Sequence, residues 1–433
     1  MKFNIFEFNM KFIMIFLILI LLMVSNSMGT TESDDYLYIQ LTKDIEGVHE
    51  SPSIAVVDNN LYIVWNAIQN EYTTSSIYFV KSVDHGKTWS NNSVISGNST
   101  TAYNPTIAIN ENIIHVAWQD FINDNPEIYY IKSSDNGENW DLPKRLTYNS
   151  SRKQNIYDIL IKADVNYVYL TWKDYRTGSS EIFFKKSTDK GMSWLLDQRL
   201  TIDHTPSYYP SLAANGKNLF IAYQDGGTSP NICLIKSENY GDNWTEKQYI
   251  TDHSGDISSE KPEIVFYNQQ IFLIWQDDRT GNEEIYFKSS SDEGRSWGDS
   301  VQLTNNLYSD INPKIYVDQD RIIIIWIEGK NNTLGVSKIS SIDKGNTWNE
   351  IERLSTKNDC YDPKIVGENN TIHIIWQEYD SDNSEIWYVR DNIDKQNDGG
   401  NVSFDESVGF EILFFIIGIN ILIIINYMRR KKG

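Results

Sequence analysis

Apolar positions along the chain fall into short runs that alternate with polar ones, and the runs come in fours. One unit shows the pattern well. A strand over 104–109 opens on Pro105, a turn leads to a second strand over 113–118, and a polar loop leads to a third over 127–132. A short fourth strand follows around 144–147. Period-two alternation broken by turn residues at close intervals predicts antiparallel β-structure. The second strand ends on an aromatic in every unit: Trp65, Trp118, Trp172, Tyr223, Trp275, Trp326 and Trp376. Seven units at a period of roughly 50 residues predict a ring of repeats. The last unit has only three strands of its own (362–366, 371–376 and 385–389). Residues 38–42, Tyr-Ile-Gln-Leu-Thr, copy the fourth-strand endings Arg145-Leu146-Thr147, Arg199-Leu200-Thr201 and Gln302-Leu303-Thr304. Pairing the two chain ends in one sheet removes the open edges that an unclosed array would expose. The pattern thus predicts an all-β, seven-bladed β-propeller over 36–392, its last blade closed by the N-terminal strand.

Six units carry Ser-x-Asp-x-Gly-x-x-Trp between the third and fourth strands, at 82–89, 133–140, 187–194, 237–244, 290–297 and 341–348. The central residues are Asp84, Asp135, Asp189, Asn239, Asp292 and Asp343. Local chemistry accounts for the motif. The carboxylate and the Ser hydroxyl can bond the turn backbone, Gly takes a positive φ, and Trp packs beneath. Six copies in register resemble the Asp-box (BNR) repeats of the sialidase superfamily. That resemblance implies a structural role for the motif and a functional face on the opposite side of the ring. It also implies a test of the chemistry. Sialidases hold a sugar carboxylate with three arginines, the first in an Arg-Ile-Pro stretch opening the first blade, beside a Tyr–Glu nucleophile pair and an acid Asp. Here Glu50-Ser51-Pro52 stands at that stretch, leaving Arg152, Arg176 and Arg279 as arginines for that face. An acid in place of a cation repels an anionic sugar.

The two ends read differently. Residues 12–24 are apolar, follow Lys2 and Lys11, and give way to small polar residues. A run this short predicts a secretory signal peptide over 1–29. Residues 410–428 are long enough to span a bilayer as a helix, and Arg429, Arg430, Lys431 and Lys432 follow. A basic cluster stays cytoplasmic, so the propeller is expected outside a membrane crossed once, with 429–433 inside. The tail is similar to archaeal surface-protein sorting tails of the Pro-Gly-Phe type, with Val408 where that motif has Pro. Residues 393–409 are polar, Gly- and Asn-rich, and predict a flexible tether.

Composition removes several function classes. A formal net charge of −21 speaks against nucleic acid, which requires clustered Lys and Arg. Six histidines show no metal-ligand spacing and no cofactor motif occurs, so no cofactor or metal is expected. Two cysteines, Cys233 and Cys360, are too few for a disulfide framework and read as free thiols.

Candidate ligand-face residues lie in the loops after the second-strand aromatics: Asp120, Asp174, Arg176, Asp225, Asp277, Arg279 and Glu378. An acid recurring at one loop position first predicts bonding to the loop itself; the other reading is a ring of carboxylates around the channel mouth. All thirteen tryptophans belong to the repeat, six in turns, six in second strands, and Trp387 in the last blade. Sugar-stacking platforms would then be the tyrosines Tyr103, Tyr208, Tyr209 and Tyr361. The expectation is a membrane-anchored cell-surface propeller that binds a glycan or a protein partner without catalysis. The alternative is an extracellular glycoside hydrolase, sialidase-related or inverting on a neutral glycan, and a third reading is a structural envelope component.

Overall fold

Seven four-stranded antiparallel sheets follow one another along the chain. The computed structural model describes residues 36–392, apart from 70–72, 122–124, 149–154, 203–204, 254, 331–332, 356–358 and 381–382. The segments read as signal peptide (1–29), tether (393–409), membrane helix (410–428) and basic tail (429–433) lie outside the described residues, as does Arg152. Among the described residues no helix is long and apolar enough to cross a membrane.

Blades 1 to 6 span 48–94, 102–145, 156–199, 207–249, 259–302 and 310–353, each with its strands in sequence order. Blade 7 takes three strands from 359–392 and its fourth from Tyr36–Gln40, which pairs antiparallel with Asn383–Asn392. The closing strand repeats the fourth-strand chemistry of other blades. Thr147, Thr201 and Thr304 donate their hydroxyls to Glu127, Glu181 and Glu284 of the third strand. Thr42 does the same to Glu385. Backbone pairing also matches, with Leu41 N on Ile386 O at 2.9 Å against Leu146 N on Ile128 O at 2.7 Å.

The second strands are buried along nearly their whole length, as in Ile113–Asp120, Tyr167–Asp174 and Gln270–Asp277. Each blade is sandwiched between two others, so both faces of that strand meet apolar surface, and the hydrophobic core lies between blades. One cluster joins Val64 and Phe79 of blade 1 to Val116 and Trp118 of blade 2. Another joins Leu61 and Trp65 of blade 1 to Ile375 and Tyr388 of blade 7.

The Ser-x-Asp-x-Gly-x-x-Trp turns fasten these seams. In blade 3, Ser187 Oγ donates to Asp189 Oδ1 (2.7 Å) and accepts Gly191 N (2.8 Å); Asp189 accepts Ser193 N (2.8 Å) and the Ser193 hydroxyl (2.6 Å). Asp84, Asp135, Asn239, Asp292 and Asp343 each accept the backbone N–H four residues on. These bonds hold the partly exposed carboxylates of Asp84, Asp135, Asp189 and Asp292 down at about 2. The turn Trp packs edge-on against a third-strand aromatic of the preceding blade: Trp140 on Phe79, Trp194 on Tyr130, Trp244 on Phe184, Trp348 on Phe287, and Trp89 on Tyr388 across the closure. Such a pair contributes about 0.5–1.5 kcal/mol beyond its buried area. Blade 7 has no such turn. At its seam the matching position of blade 6 is Lys338, whose ammonium is paired with Asp391 at 2.6 Å and donates to Tyr36 Oη at 2.9 Å. Cys233 and Cys360 are buried and unbridged.

Two buried histidines make the fold acid-sensitive. His115 Nδ1 meets Tyr130 Oη at 2.7 Å and His373 Nδ1 meets Tyr388 Oη at 2.8 Å. Burial depresses both imidazoles to about 3, while in the unfolded chain they protonate near pH ~6.5. The unfolded state therefore binds more protons in that interval, and stability falls as pH drops from about 6.5 toward 3. At pH 5 each histidine is expected to cost about 2 kcal/mol relative to neutral pH. Replacing both His–Tyr pairs by the Tyr–Phe pairing of blade 3 (Tyr169, Phe184) should remove their share of the slope in urea-unfolding stability measured from pH 7 to 5, about 2 kcal/mol each, and leave that of His49, which is likewise buried and depressed. An unchanged slope would show that the histidines titrate normally.

Candidate functional site

The innermost strand of every blade opens on the same irregularity. Register shifts by a bulge after Glu50, Tyr103, Tyr157, Tyr208, Glu260, Ile311 and Tyr361. The next residue has positive φ in all seven blades: Ser51, Asn104, Asp158, Tyr209, Lys261, Asn312 and Asp362, between 47° and 55°. Non-glycine residues in that region cost roughly 1–2 kcal/mol each, and a bulge re-aims its side chains. Side-chain amides of the preceding blade help to hold this geometry. Asn66 Oδ1 accepts Asn104 N at 3.2 Å, Gln276 Oε1 accepts Asn312 N at 3.0 Å, and Gln377 Oε1 accepts Ser51 N at 3.4 Å. The result is a channel of about 480 Å³ lined by first-strand residues of all seven blades. Its mouth lies on the side of the loops that join second to third strands.

Aromatic side chains gather along one arc of that mouth. Tyr103 meets Phe121 edge-on at 5.9 Å, Tyr157 meets Tyr175 at 6.4 Å, and Tyr361 meets Tyr379 at 5.3 Å. In each pair one ring comes from the bulge and the other from the end of the second strand or the residue just beyond it. Blade 4 adds the tilted pair Tyr208–Tyr209. The four tyrosines named from the sequence thus all stand at first-strand bulges, and Tyr157, Tyr175 and Tyr379 join them. Lys173 sits within this arc, 2.8 Å from Asp158 Oδ2 and 4.9, 5.5 and 5.2 Å from the ring centroids of Tyr157, Tyr208 and Tyr209. One signal could have found it. Lys173 is the one charged residue in a column that reads Asn66, Gln119, Gln224, Gln276, Ile327 and Gln377 in the other blades, each paired across the ladder with the bulge residue.

The acids and arginines picked from the loops lie elsewhere. Asp120 Oδ2 accepts the Trp118 indole N–H at 2.9 Å, Asp174 that of Trp172 at 2.9 Å, Asp277 that of Trp275 at 3.0 Å, and Glu378 that of Trp376 at 3.2 Å. In blade 4, where Tyr223 replaces Trp, Asp225 pairs with Lys247 at 2.7 Å. All five are buried, and none lines the channel or its mouth. The reading as an open ring of carboxylates therefore does not describe them; each bonds within its own blade. Arg176 is paired with Asp174 and Asp197 and lies over Phe183, and Arg279 is paired with Asp277 and lies over Tyr286. Both reach toward the outer strands, away from the channel.

Where blades 7 and 1 meet, a second cavity of about 560 Å³ is lined by Glu50, Ser51, Asp359, Tyr361, Asp362, Gln377 and Tyr379. Tyr379 Oη donates to Glu50 Oε1 at 3.1 Å. Burial and the Glu50 charge push this phenol up to about 12, so at neutral pH it is a hydrogen-bond donor and not a phenolate. A Tyr–Glu pair is thus present, but Arg176 and Arg279 do not converge on it. Among the described residues, no cluster of three or more His, Cys, Asp or Glu could hold a metal ion.

No family model matches the chain, and no curated protein matches its sequence. Solved structures do resemble its fold. A polysaccharide lyase of family PL25, an ulvan lyase bound to a GlcA–Rha3S saccharide, superposes with a TM-score of 0.59 at 12% identity, covering 80% of this chain and 95% of that one. A Penicillium chrysogenum α-L-arabinanase gives 0.48 at 14% identity, over 83% and 98%. The Trypanosoma rangeli sialidase gives 0.45 at 12% identity over 82% of this chain, which spans 58% of that sialidase. At these identities the likeness is one of fold.

The division between buried acids and mouth tyrosines has a measurable consequence. Asp174→Ala leaves the buried Trp172 N–H without its acceptor and the Arg176 guanidinium with Asp197 as its remaining carboxylate, and is expected to destabilise the protein by about 2–4 kcal/mol. Tyr157→Ala, on a partly exposed ring, should lower the unfolding free energy by less than about 1 kcal/mol. Comparable losses in the two variants, read by thermal or urea unfolding, would contradict this assignment.

Proposed function

We propose that the protein binds a glycan across the aromatic arc at the channel mouth, and that a C-terminal membrane segment displays the propeller on the cell surface. The observation that carries the glycan reading is the set of four aromatic pairs in blades 7, 2, 3 and 4, all on one face. Tyrosine rings backed by a rigid bulge offer flat apolar surface with a polar edge, which suits the C–H faces and hydroxyls of a saccharide. The anchoring half of the proposal is supported by the sequence alone, through the apolar run at 410–428 and the basic residues after it.

A hydrolytic role is the second reading, favoured by the Tyr379–Glu50 pair sharing a cavity with Asp359 and Asp362. The high phenol pKa and the distance of Arg176 and Arg279 from this pair, each engaged by acids of its own blade, weigh against sialidase chemistry, while an inverting pair of carboxylates would need neither a phenolate nor arginines. Saccharide binding and turnover by the purified chain separate the two readings. Binding from a panel of neutral and charged oligosaccharides is expected without cleavage, weakened at least tenfold by Tyr157→Ala together with Tyr361→Ala. Cleavage abolished by Glu50→Gln or Asp362→Asn would replace the binding role with a hydrolytic one. Cell fractionation of a chain ending before residue 410 tests the anchor: the truncated protein should leave the membrane fraction.

A further inference from the structure

The repeat contains its own control for the cavity between blades 7 and 1. Blade 3 carries Tyr157, Asp158, Lys173 and Tyr175; blade 7 carries Tyr361, Asp362, Gln377 and Tyr379 at the same four positions. Tyr157 pairs with Lys173 across the ladder as Tyr361 pairs with Gln377. Asp158 and Asp362 both have positive φ, 54° and 47°. The two tyrosine pairs cross at 89° and 87°. Only one member differs in kind. Where blade 3 places the Lys173 ammonium between Asp158 and three tyrosine rings, blade 7 has the shorter, neutral Gln377, whose amide is turned to Ser51 N of the next blade.

The frame around the blade 7 cavity is also more acidic than its counterpart. The neighbouring blade contributes Glu50 where blade 4 gives Lys173 the ring of Tyr208. Glu50, Asp359 and Asp362 all line the cavity, and no cation does among the described residues. One oxygen of Glu50 accepts the Tyr379 hydroxyl and one of Asp359 accepts Leu334 N at 2.8 Å. Asp362 has no hydrogen-bond donor and no contacting cation among the described residues. Lys261 and Lys364 act on it only from a distance, the latter two residues further along the same strand. Carboxylates beside aromatic faces attract an ammonium group through charge and through the ring quadrupole together.

We propose that this cavity receives a primary ammonium group from the ligand, in the position that Lys173 fills from within the chain in blade 3. The proposal rests on the glycan reading above and names its chemical class: a saccharide bearing a free amino group, an amino sugar without its acetyl cap. A sugar acid, the ligand class of the sialidase arrangement, would meet three carboxylates here.

The test copies blade 3 into blade 7. Full-length protein is titrated at pH 6 with glucosamine oligomers and with N-acetylglucosamine oligomers of equal length by calorimetry, and with methylammonium by ligand-observed NMR. The free-amine oligomer is expected to bind at least tenfold more tightly than the acetylated one. Gln377→Lys, which supplies the cation internally, should abolish that preference and exclude methylammonium, at the cost of the weak Ser51 N–H bond alone; Asp362→Asn should weaken amine binding while keeping the cavity. Equal affinity for the two oligomers overturns this inference and leaves the glycan reading standing. Methylammonium that binds the wild type and is lost in Gln377→Lys, with no oligosaccharide binding at all, keeps the ammonium site and removes the glycan reading. Amine binding unaffected by Gln377→Lys overturns the site itself.

Discussion

A ring of identical units has to close, and the rest of this structure depends on how blade 7 is closed. Each core cluster lies between two blades, so a gap anywhere would strip apolar surface from both blades that flank it. Tyr36–Gln40 completes the last sheet with the same backbone pairing and the same Thr–Glu bond as an ordinary fourth strand. The seam beside it cannot use the turn Trp that fastens other blades, because the closing strand arrives without one. Lys338, Asp391 and Tyr36 fill that place with a buried ion pair and a hydrogen bond. The two chain ends are thereby held together by sheet pairing and by charge.

Within this closed ring the two faces have different work. On one, the Ser-x-Asp-x-Gly-x-x-Trp turns bond their own Ser, Asp and backbone groups and drive a Trp into the preceding blade, where its indole N–H is buried without an acceptor among the described residues. On the other, seven bulges force seven residues into a conformation that side chains seldom adopt, and strain of this kind is commonly stored at functional sites. Rigidity and presentation are linked. Amides from second strands clamp the strained residues, and the buried acids Asp120, Asp174 and Asp277 hold the indoles on which those second strands pack.

Much of this was legible from the residues. The count of second-strand aromatics against turn motifs gave seven blades and a missing strand, and the likeness of 38–42 to 144–147 located its replacement. The preference for a bonding role at the recurrent loop acid was also readable, since a residue that returns in blade after blade serves the repeat. Arg176 and Arg279 were harder. A cation in a loop near an expected site invites a ligand role, and only the positions of Asp174, Asp197 and Asp277 show that each guanidinium is already engaged.

Periodicity along the chain determines which residues are equivalent, because each repeat must meet the same neighbours, and from that follow fold class, blade number and closure. It does not determine which equivalent residues face a common space, because a bulge of one residue turns a strand's side chains and the clamps that fix it come from another blade. Tyr157, Tyr361 and their loop partners are distant in sequence and gain a shared surface only when the ring closes. The contrast between Lys173 and Gln377 was printed in the sequence as one changed letter in a column. Its meaning depended on the surrounding rings and carboxylates, which the tertiary structure alone brings together.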